Sequence, residues 1–372
     1  MKSSILPFSS VDRSLRDQVV VITGASSGIG RAAAIAFARE GARLVLAARN
    51  TEALQEVAGE CATLGCHARS VPTDVADADA VQNLAQQTLD AFGRIDVWIN
   101  NAGVGLFGPF QRATIEEHRR VVEIDLFGAM NAASAVIPIF LRQKRGTMIT
   151  NISVGGFVPV PFASAYTAAK FGLRGFMAGL RQELIPHRDI HISCLFPGII
   201  DTPGYQHGAN VSGAMLKPTP IMGDPPERVA DALVAVARRP RAEVPVGLAT
   251  RAARLGYGVA PGITEAITGA FFRTYLRRGD PAPFEQGNLF EPSQGRMTPA
   301  GGWRQPASSS TQTRALVGAA GAAAVVVAAG WWWRSRQRAT SRPIFHSHRE
   351  KLRERTSEFA ESAEPIEAVP IH

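Results

Sequence analysis

Short apolar runs rich in valine and isoleucine alternate with longer, helix-like stretches between residues 18 and 200. Six runs read QVVVIT, RLVLAA, HARSV, IDVWIN, TMITNI and HISCLF, and a seventh, EVPVG, follows the helix-like PPERVADALVAVARR. Apolar runs that alternate with amphipathic stretches are typical of strands joined by crossover helices. The pattern therefore predicts an α/β fold in which helices flank a parallel, seven-stranded sheet.

The rest of the chain differs in composition from this alternating part. Leu255 to Arg278 form an apolar stretch with aromatic residues and helical character, and the residues after it are rich in Pro, Gly, Ser and Gln, which predicts a linker. We therefore divide the chain into a lead (1–14), a main domain (15–280), a linker (281–314), an apolar segment (315–333) and a charged tail (334–372).

The apolar segment reads ALVGAAGAAAVVVAAGWWW, which is 19 residues without a charge, and RSRQR follows it. This length and the terminal tryptophans meet the criteria for a membrane-spanning helix. A buried or oligomerising helix is the alternative, because alanine and glycine are only weakly hydrophobic. We predict membrane insertion, since the linker and tail around the segment offer no core to bury it.

The orientation of this helix stays open. The basic RSRQR end should remain cytoplasmic, but a single span would then place the main domain outside. The apolar stretch in the N-terminal MKSSILPFSS is too short for a secretory signal that would export this domain. Three arrangements of this segment stay open: a tail anchor that departs from the charge bias, an interfacial or re-entrant segment, and no insertion. We expect a membrane-associated protein with its main domain in the cytoplasm, and a soluble cytoplasmic protein as the alternative.

Charge and cysteine content exclude several classes of protein. The formal charge is +8, but no basic motif interleaved with aromatic residues accompanies it, so we expect no nucleic-acid partner. Cys61, Cys66 and Cys194 form no C-x-x-C pair or Cys/His cluster, which predicts neither a disulfide framework nor a metal site.

The first apolar run leads directly into TGASSGIG, which contains Gly24, Gly28 and Gly30 and precedes a helix-like stretch. Glycine permits a tight turn and a close approach of the backbone to a pyrophosphate at a helix N-terminus. The spacing is T-G-x-x-x-G-x-G rather than the commoner G-x-G-x-x-G. This loop predicts dinucleotide binding.

Tyr166 and Lys170 stand four residues apart in AYTAAKFG, and Ser153 lies 13 residues before the tyrosine. Residues at this spacing share a helix face, so the ammonium favours the ionised phenol beside it. An ordinary phenol titrates near about 10, and each pKa unit is worth roughly 1.4 kcal/mol. A tyrosine with such help is able to act as an acid or base.

Together these motifs resemble the short-chain dehydrogenase/reductase family over about residues 15–280. They follow the family's order: Thr23 to Gly30, Asp74-Val75, Asn100-Asn101-Ala102-Gly103, Ser153, Tyr166-x-x-x-Lys170, and Pro197-Gly198 with Thr202. The resemblance implies a doubly wound Rossmann fold and hydride transfer between a nicotinamide cofactor and a carbonyl or secondary alcohol.

The resemblance also implies a role for each matched residue. Ser153 and Tyr166 would hold the substrate oxygen, Tyr166 would pass the proton, and Lys170 would lower the pKa of the tyrosine and bind the nicotinamide ribose. Expected cofactor contacts in the loop after the first strand are Gly24, Ser26, Ser27, Gly28, Ile29 and Gly30. Expected adenosine contacts are Asp74, Val75, Asn101, Ala102 and Gly103, and expected nicotinamide contacts are Pro197, Gly198, Ile200 and Thr202.

The second strand ends in Ala47, Ala48 and Arg49. A carboxylate at this place would bind the ribose 2′-hydroxyl of NAD(H), whereas a guanidinium suits the 2′-phosphate of NADP(H). We predict NADP(H), with Ser26 and Ser27 as extra donors; the alternative is that Arg49 points into solvent.

Asp125 departs from the family's pattern, which usually has an asparagine in a V-N-L-x-G segment; this chain reads Ile124-Asp125-Leu126-Phe127-Gly128. In the family, the main-chain carbonyl of that residue holds a water that links the lysine to solvent. A main-chain group survives a change of side chain, but a carboxylate at this place is expected to alter either the relay or the local helix geometry. We therefore keep Asp125 as a candidate catalytic residue.

The leading hypothesis is an NADP(H)-dependent oxidoreductase, and membrane proximity favours an apolar carbonyl or alcohol as its substrate. A non-catalytic NADP(H)-binding scaffold or redox sensor, tethered to the membrane, is the alternative. Isomerase or dehydratase chemistry on the same fold is a third. The resemblance further implies a homo-oligomer formed through the helices near residues 112–135 and 164–184.

Overall fold

The computed structural model describes residues 13–216, 223–293, 295 and 297–303. Its strands are β1 (Val19–Thr23), β2 (Arg43–Ala48), β3 (Ala68–Pro72), β4 (Val97–Asn100), β5 (Leu106–Phe107), β6 (Gly146–Asn151), β7 (Ile190–Pro197), β8 (Ala209–Asn210) and β9 (Glu243–Val246). Seven of them form one parallel sheet in the order β3-β2-β1-β4-β6-β7-β9, and β5 pairs with β8. The predicted seven-stranded sheet is thus confirmed.

Helices cover both faces of this sheet. They are α1 (Gly28–Arg39), α2 (Thr51–Thr63), α3 (Ala78–Phe92), α4 (Ile115–Val122), α5 (Gly128–Gln143), α6 (Ser164–Glu183), α7 (Gly204–His207), α8 (Pro226–Arg238), α9 (Leu248–Val259) and α10 (Pro261–Arg278). A π-helical turn, Glu123–Phe127, joins α4 to α5.

The core consists of two apolar layers, one on each face of the sheet. Successive residues of β1 point to opposite faces, so that Val21 packs in one layer while Val20 and Ile22 pack in the other. All five residues of β1 are buried. Burial on both faces explains why this strand is a continuous apolar run instead of an alternating one.

The order of the strands creates a crevice at one edge of the sheet, where open parallel sheets usually bind their ligands. Chain connections run outward in opposite directions from β1 and β4, which are neighbours in the sheet. In open parallel sheets the crevice at this switch point, outside the carboxyl ends of the strands, is the usual ligand site. The segments that carry the sequence motifs follow β1, β4, β6 and β7, and therefore meet there.

The predicted linker differs from the structure over its described part. Glu285 pairs with Asn210, Pro281 pairs with Ala214, and Leu289 is fully buried in a core layer. Composition alone predicts a solvated connection, but one buried leucine and paired backbone groups hold this segment against the domain.

The predicted membrane segment, residues 315–333, lies outside the described residues. Within them, the helical stretch Ile115–Gln143 is long and apolar enough to cross a membrane, but 56% of its most apolar window is buried inside the protein. Such burial is typical of a core helix, so this stretch gives no support to a membrane location.

Candidate active site

A cleft of about 1290 Å³ opens at the carboxyl ends of the strands. With the exception of Gly30 and Asp125, all the predicted site residues line it, including Ser153, Tyr166 and Lys170. Gly30 lies beneath the glycine loop and Asp125 lies behind Lys170. The topology thus brings segments that are distant in sequence to a single cavity.

The glycine loop needs its glycines for packing. Gly24 has a φ of +66°, and a Cβ atom there would lie 2.8 Å from Cα of Ala102. A Cβ on Gly30 would lie 2.0 Å from the carbonyl oxygen of Gly24. Any side chain at either position would push the loop away from the N-terminus of α1, where an anion is favourably bound.

Asn101 joins the loops that follow β1, β4 and β6. Its side chain donates to the carbonyl oxygens of Thr23 and Gly24 at 3.1 and 3.2 Å, and its own oxygen accepts from Asn151 at 2.9 Å. The Thr23 hydroxyl accepts from the backbone N–H groups of Asn101 and Ala102. Asn101 therefore links the segments that form the cleft, in addition to the cofactor contact that the sequence predicts for it.

Two residues that hold the segment of Asp74 and Val75 were not indicated by the sequence motifs. Arg120 forms an ion pair with Asp74, and Asn131 donates to the carbonyl oxygens of Val75 and Ala76 at 3.0 and 3.3 Å. Both belong to helices that follow β5 in sequence and that pack beside the loop after β3. Only the fold brings them to Asp74 and Val75.

The loop after β7 also lines the cleft. Pro197, Gly198, Ile200 and Thr202 line it as predicted, and so do Ser26, Ser27 and Ile29. Thr202 approaches Gly28 so closely that a Cβ on the glycine would lie 3.4 Å from the Cβ of the threonine.

Ser153, Tyr166 and Lys170 form the centre of the site. Ser153 follows β6 with a φ of +130°, a strained value for a residue with a side chain, and its Oγ accepts from the backbone N–H of Gly155 at 3.1 Å. Tyr166 and Lys170 share a face of α6, and the Lys170 Nζ lies 5.2 Å from the centroid of the Tyr166 ring.

The side chain of Asp125 contacts Lys170. Its Oδ2 lies 2.9 Å from Nζ of Lys170, and its Oδ1 accepts from the backbone N–H of Val104 at 2.8 Å. Both side chains of the pair are almost completely buried, at 6% exposure for Lys170 and 0% for Asp125. The π-helical turn that contains Asp125 is a backbone form often found at functional sites.

Electrostatics at this centre differ from the sequence expectation. Burial raises the pKa of Tyr166, and the negative charge of Asp125 raises it further. The positive charge of Lys170 and a hydrogen bond with Ser153 lower this pKa, but they do not outweigh burial. For Lys170, burial lowers the pKa, but Asp125 and Tyr166 together outweigh it, so that the pKa is raised overall. The lysine stays charged, and Asp125 partly cancels its effect on the tyrosine.

Arg49 points into the cleft rather than into solvent. Its guanidinium donates to the carbonyl oxygens of Asn288, Leu289 and Phe290, and burial lowers its pKa. Its donors therefore lie on the cavity side of the second strand.

Apolar side chains of α10 line part of the same cleft as Tyr166. One stripe of α10 faces the cavity and consists of Thr268, Phe271, Phe272, Tyr275 and Leu276. Phe107 and Tyr205 line the cavity as well, and burial raises the pKa of Tyr205. The helical spacing of the α10 residues was visible in the sequence, and Tyr205 lies in the segment after Thr202 where the family resemblance implies a variable substrate loop.

Comparison with known proteins decides the family. The family model described as short chain dehydrogenase matches residues 18–209. The chain belongs to the short-chain dehydrogenase/reductase family. An oxidoreductase of Bacillus subtilis, called YxnA and uncharacterised, is 34% identical over 257 residues, which cover 68% of this chain and 72% of the relative. The predicted resemblance and the class, an oxidoreductase, are confirmed.

Solved members of the family show the same fold. A metagenomic short-chain oxidoreductase in complex with NADP is 33% identical, has a TM-score of 0.54, and is matched over 100% of its length and 63% of this chain. The L-sorbose reductase of Gluconobacter frateurii, complexed with NADPH and L-sorbose, is 27% identical with a TM-score of 0.56, over 97% of its length and 63% of this chain.

Proposed function

We propose that this protein is an NADP(H)-dependent oxidoreductase that transfers a hydride between the nicotinamide and a carbonyl or secondary alcohol of an apolar substrate. The juxtaposition of Ser153, Tyr166 and Lys170 at the wall of the cleft carries the proposal. The cradle also fits the cofactor, since the glycine loop leaves no room for a Cβ and the N-terminus of α1 faces the cleft.

The chain's own residues would handle the proton and the oxygen. Bound NADPH supplies the hydride for reduction. Ser153 Oγ and Tyr166 Oη hold the carbonyl oxygen, and Tyr166 donates its proton as that oxygen gains charge. Lys170 then stabilises the tyrosinate until it takes up a proton again, and Asp125 keeps the lysine charged inside the protein.

An apolar substrate is supported by the stripe of α10. Its aromatic and aliphatic side chains line the same cavity as Tyr166, and burying apolar substrate surface against them is favourable by about 25 cal/mol per Å². A surface of this kind offers a polar substrate few partners.

We expect the full chain to oxidise NADPH with apolar ketones or aldehydes and to prefer them to sugars and short polar carbonyls by about tenfold or more in kcat/KM. The measurement is the loss of NADPH absorbance over such a panel. Tight NADPH binding without turnover in either direction would instead support a scaffold or redox sensor.

Arg49→Ala should lower the preference for NADPH over NADH by about tenfold or more, because the lost charge-assisted bonds to the 2′-phosphate do not affect NADH. The ratio of the two kcat/KM values measures this preference. Arg69→Ala, at an exposed residue of the neighbouring strand β3, is the matched control and should leave the ratio unchanged. An unaltered ratio in the Arg49 variant would remove Arg49 from cofactor selection.

Membrane association and a homo-oligomer are further parts of the proposal. Phe127 and Phe171, on the helical stretches expected to form the subunit contact, are 51% and 37% exposed. Such side chains favour burial against a second copy. The uncharged segment at 315–333 supports the membrane location.

A further inference from the structure

The end of the described chain crosses the cofactor side of the cleft. We call residues 288–293 and 297–303 the strap. Three consecutive backbone carbonyls of the strap, those of Asn288, Leu289 and Phe290, accept hydrogen bonds from the guanidinium of Arg49. These neutral acceptors occupy donors that, under the proposed function, bind the 2′-phosphate of NADP(H).

A second contact lies at the place where a pyrophosphate would bind. The backbone N–H of Gly28, at the start of α1, donates to the carbonyl oxygen of Thr298 at 3.1 Å, and Arg31 donates to the carbonyl oxygen of Met297 at 2.7 Å. The indole N–H of Trp303 donates to the carbonyl oxygen of Thr202 at 3.2 Å. The strap therefore contacts the glycine loop, Arg49 and the loop after β7, which are three separate parts of the cofactor site.

The strap is held closed by groups outside the cofactor contacts as well. The Leu289 side chain is fully buried in a core layer, and the Leu289 carbonyl also accepts from Arg120 at 3.0 Å. Asn50 donates to the carbonyl oxygen of Ser293 at 3.0 Å. Closure of the cleft is thus built into the fold by one apolar anchor and several polar contacts.

We propose that the strap is an internal competitor of the cofactor, which caps the phosphate-binding donors and has to leave them before NADP(H) binds. The inference rests on the proposed function. A phosphate accepts stronger, charge-assisted hydrogen bonds than a backbone carbonyl does, so the cofactor displaces the strap once it reaches the open form. The apparent affinity for NADP(H) is the intrinsic affinity of the open form multiplied by the fraction of molecules in which the strap is open, so a mostly closed strap weakens binding.

Hydrogen exchange on the full chain, with and without saturating NADPH, tests the displacement directly. The amides of Asn288 and Trp303 and that of Gly28 are hydrogen-bonded across the strap contacts. We expect the amides of Asn288 and Trp303 to exchange faster in the presence of NADPH while the amide of Gly28 stays protected by the pyrophosphate. Slower or unchanged exchange along the strap would overturn the proposal.

Leu289→Ala tests the effect on affinity. Loss of the buried anchor opens the strap, so the apparent Kd for NADPH, measured by titration calorimetry, should fall by about tenfold or more. Phe284→Ala removes a side chain that is 59% exposed and lies outside the strap, and it should leave the Kd unchanged. Equal affinities in wild type and Leu289→Ala would overturn the role of the strap as a competitor but not the proposed function. Absence of NADPH binding in every variant would overturn the proposed function as well.

Discussion

Tyr166→Phe is expected to lower kcat by about 10²–10⁴-fold, because the variant has no hydroxyl to donate the proton and only the binding contacts remain. Affinity for NADPH should fall far less, since most of the predicted cofactor contacts come from other segments of the cleft. Steady-state NADPH oxidation and direct NADPH titration measure the two quantities separately. Thr167→Val, on the next residue of α6, is a matched control, because its hydroxyl contacts Val160 rather than the cleft centre.

The pH dependence distinguishes Tyr166 from a residue that only positions the substrate. Since burial raises the pKa of Tyr166, the phenol stays protonated through neutral pH and supports reduction there. Alcohol oxidation needs the tyrosinate, so its rate should climb as the pH rises toward that raised pKa. In Tyr166→Phe this climb should vanish; a variant that kept the wild-type pH profile would show that another group carries the proton.

The sequence was sufficient for the parts of the site that depend on local geometry. The strand and turn around Gly24 and the helical spacing of Tyr166 and Lys170 are set by residues within a few positions of each other. The alternating pattern also predicted the sheet, because strands buried on both faces are continuous apolar runs.

Contacts between residues that are far apart in the sequence could not be predicted from local patterns. Arg120 reaches Asp74 across 46 residues, and Arg49 reaches Leu289 across 240 residues. Neither pair has a spacing that marks it. The strap was assigned to a linker because its composition is that of an exposed segment, while one leucine and a series of main-chain acceptors determine its place.

Asp125 shows how one substitution changes the meaning of a motif. From the sequence, the main-chain carbonyl at this position was expected to keep the role that the family gives it, and the carboxylate was expected to alter the relay or the local helix geometry. In the structure the carboxylate itself forms a buried ion pair with Lys170, and a Cβ on Gly103 would lie only 3.2 Å from its Oδ1. The charge of Lys170 is therefore balanced within the protein.

Lys170→Met should lower the free energy of unfolding by about 3–5 kcal/mol, because it leaves the Asp125 carboxylate buried without its partner. Urea denaturation followed by intrinsic fluorescence measures the loss. It should shrink as the pH is lowered, since a protonated Asp125 carries no charge and burial already raises the pKa of this carboxyl group. A loss that did not depend on pH would point to packing of the lysine stem instead.

The double variant Lys170→Met with Asp125→Asn separates stability from catalysis. An asparagine keeps the shape and an acceptor for the backbone N–H of Val104 but carries no charge, so most of the lost stability should return. Activity should not return, because Tyr166 still lacks the ammonium that favours its ionised form. If the double variant remained as unstable as Lys170→Met, the buried charge of Asp125 would not be the cause, and the two side chains would be coupled through packing alone.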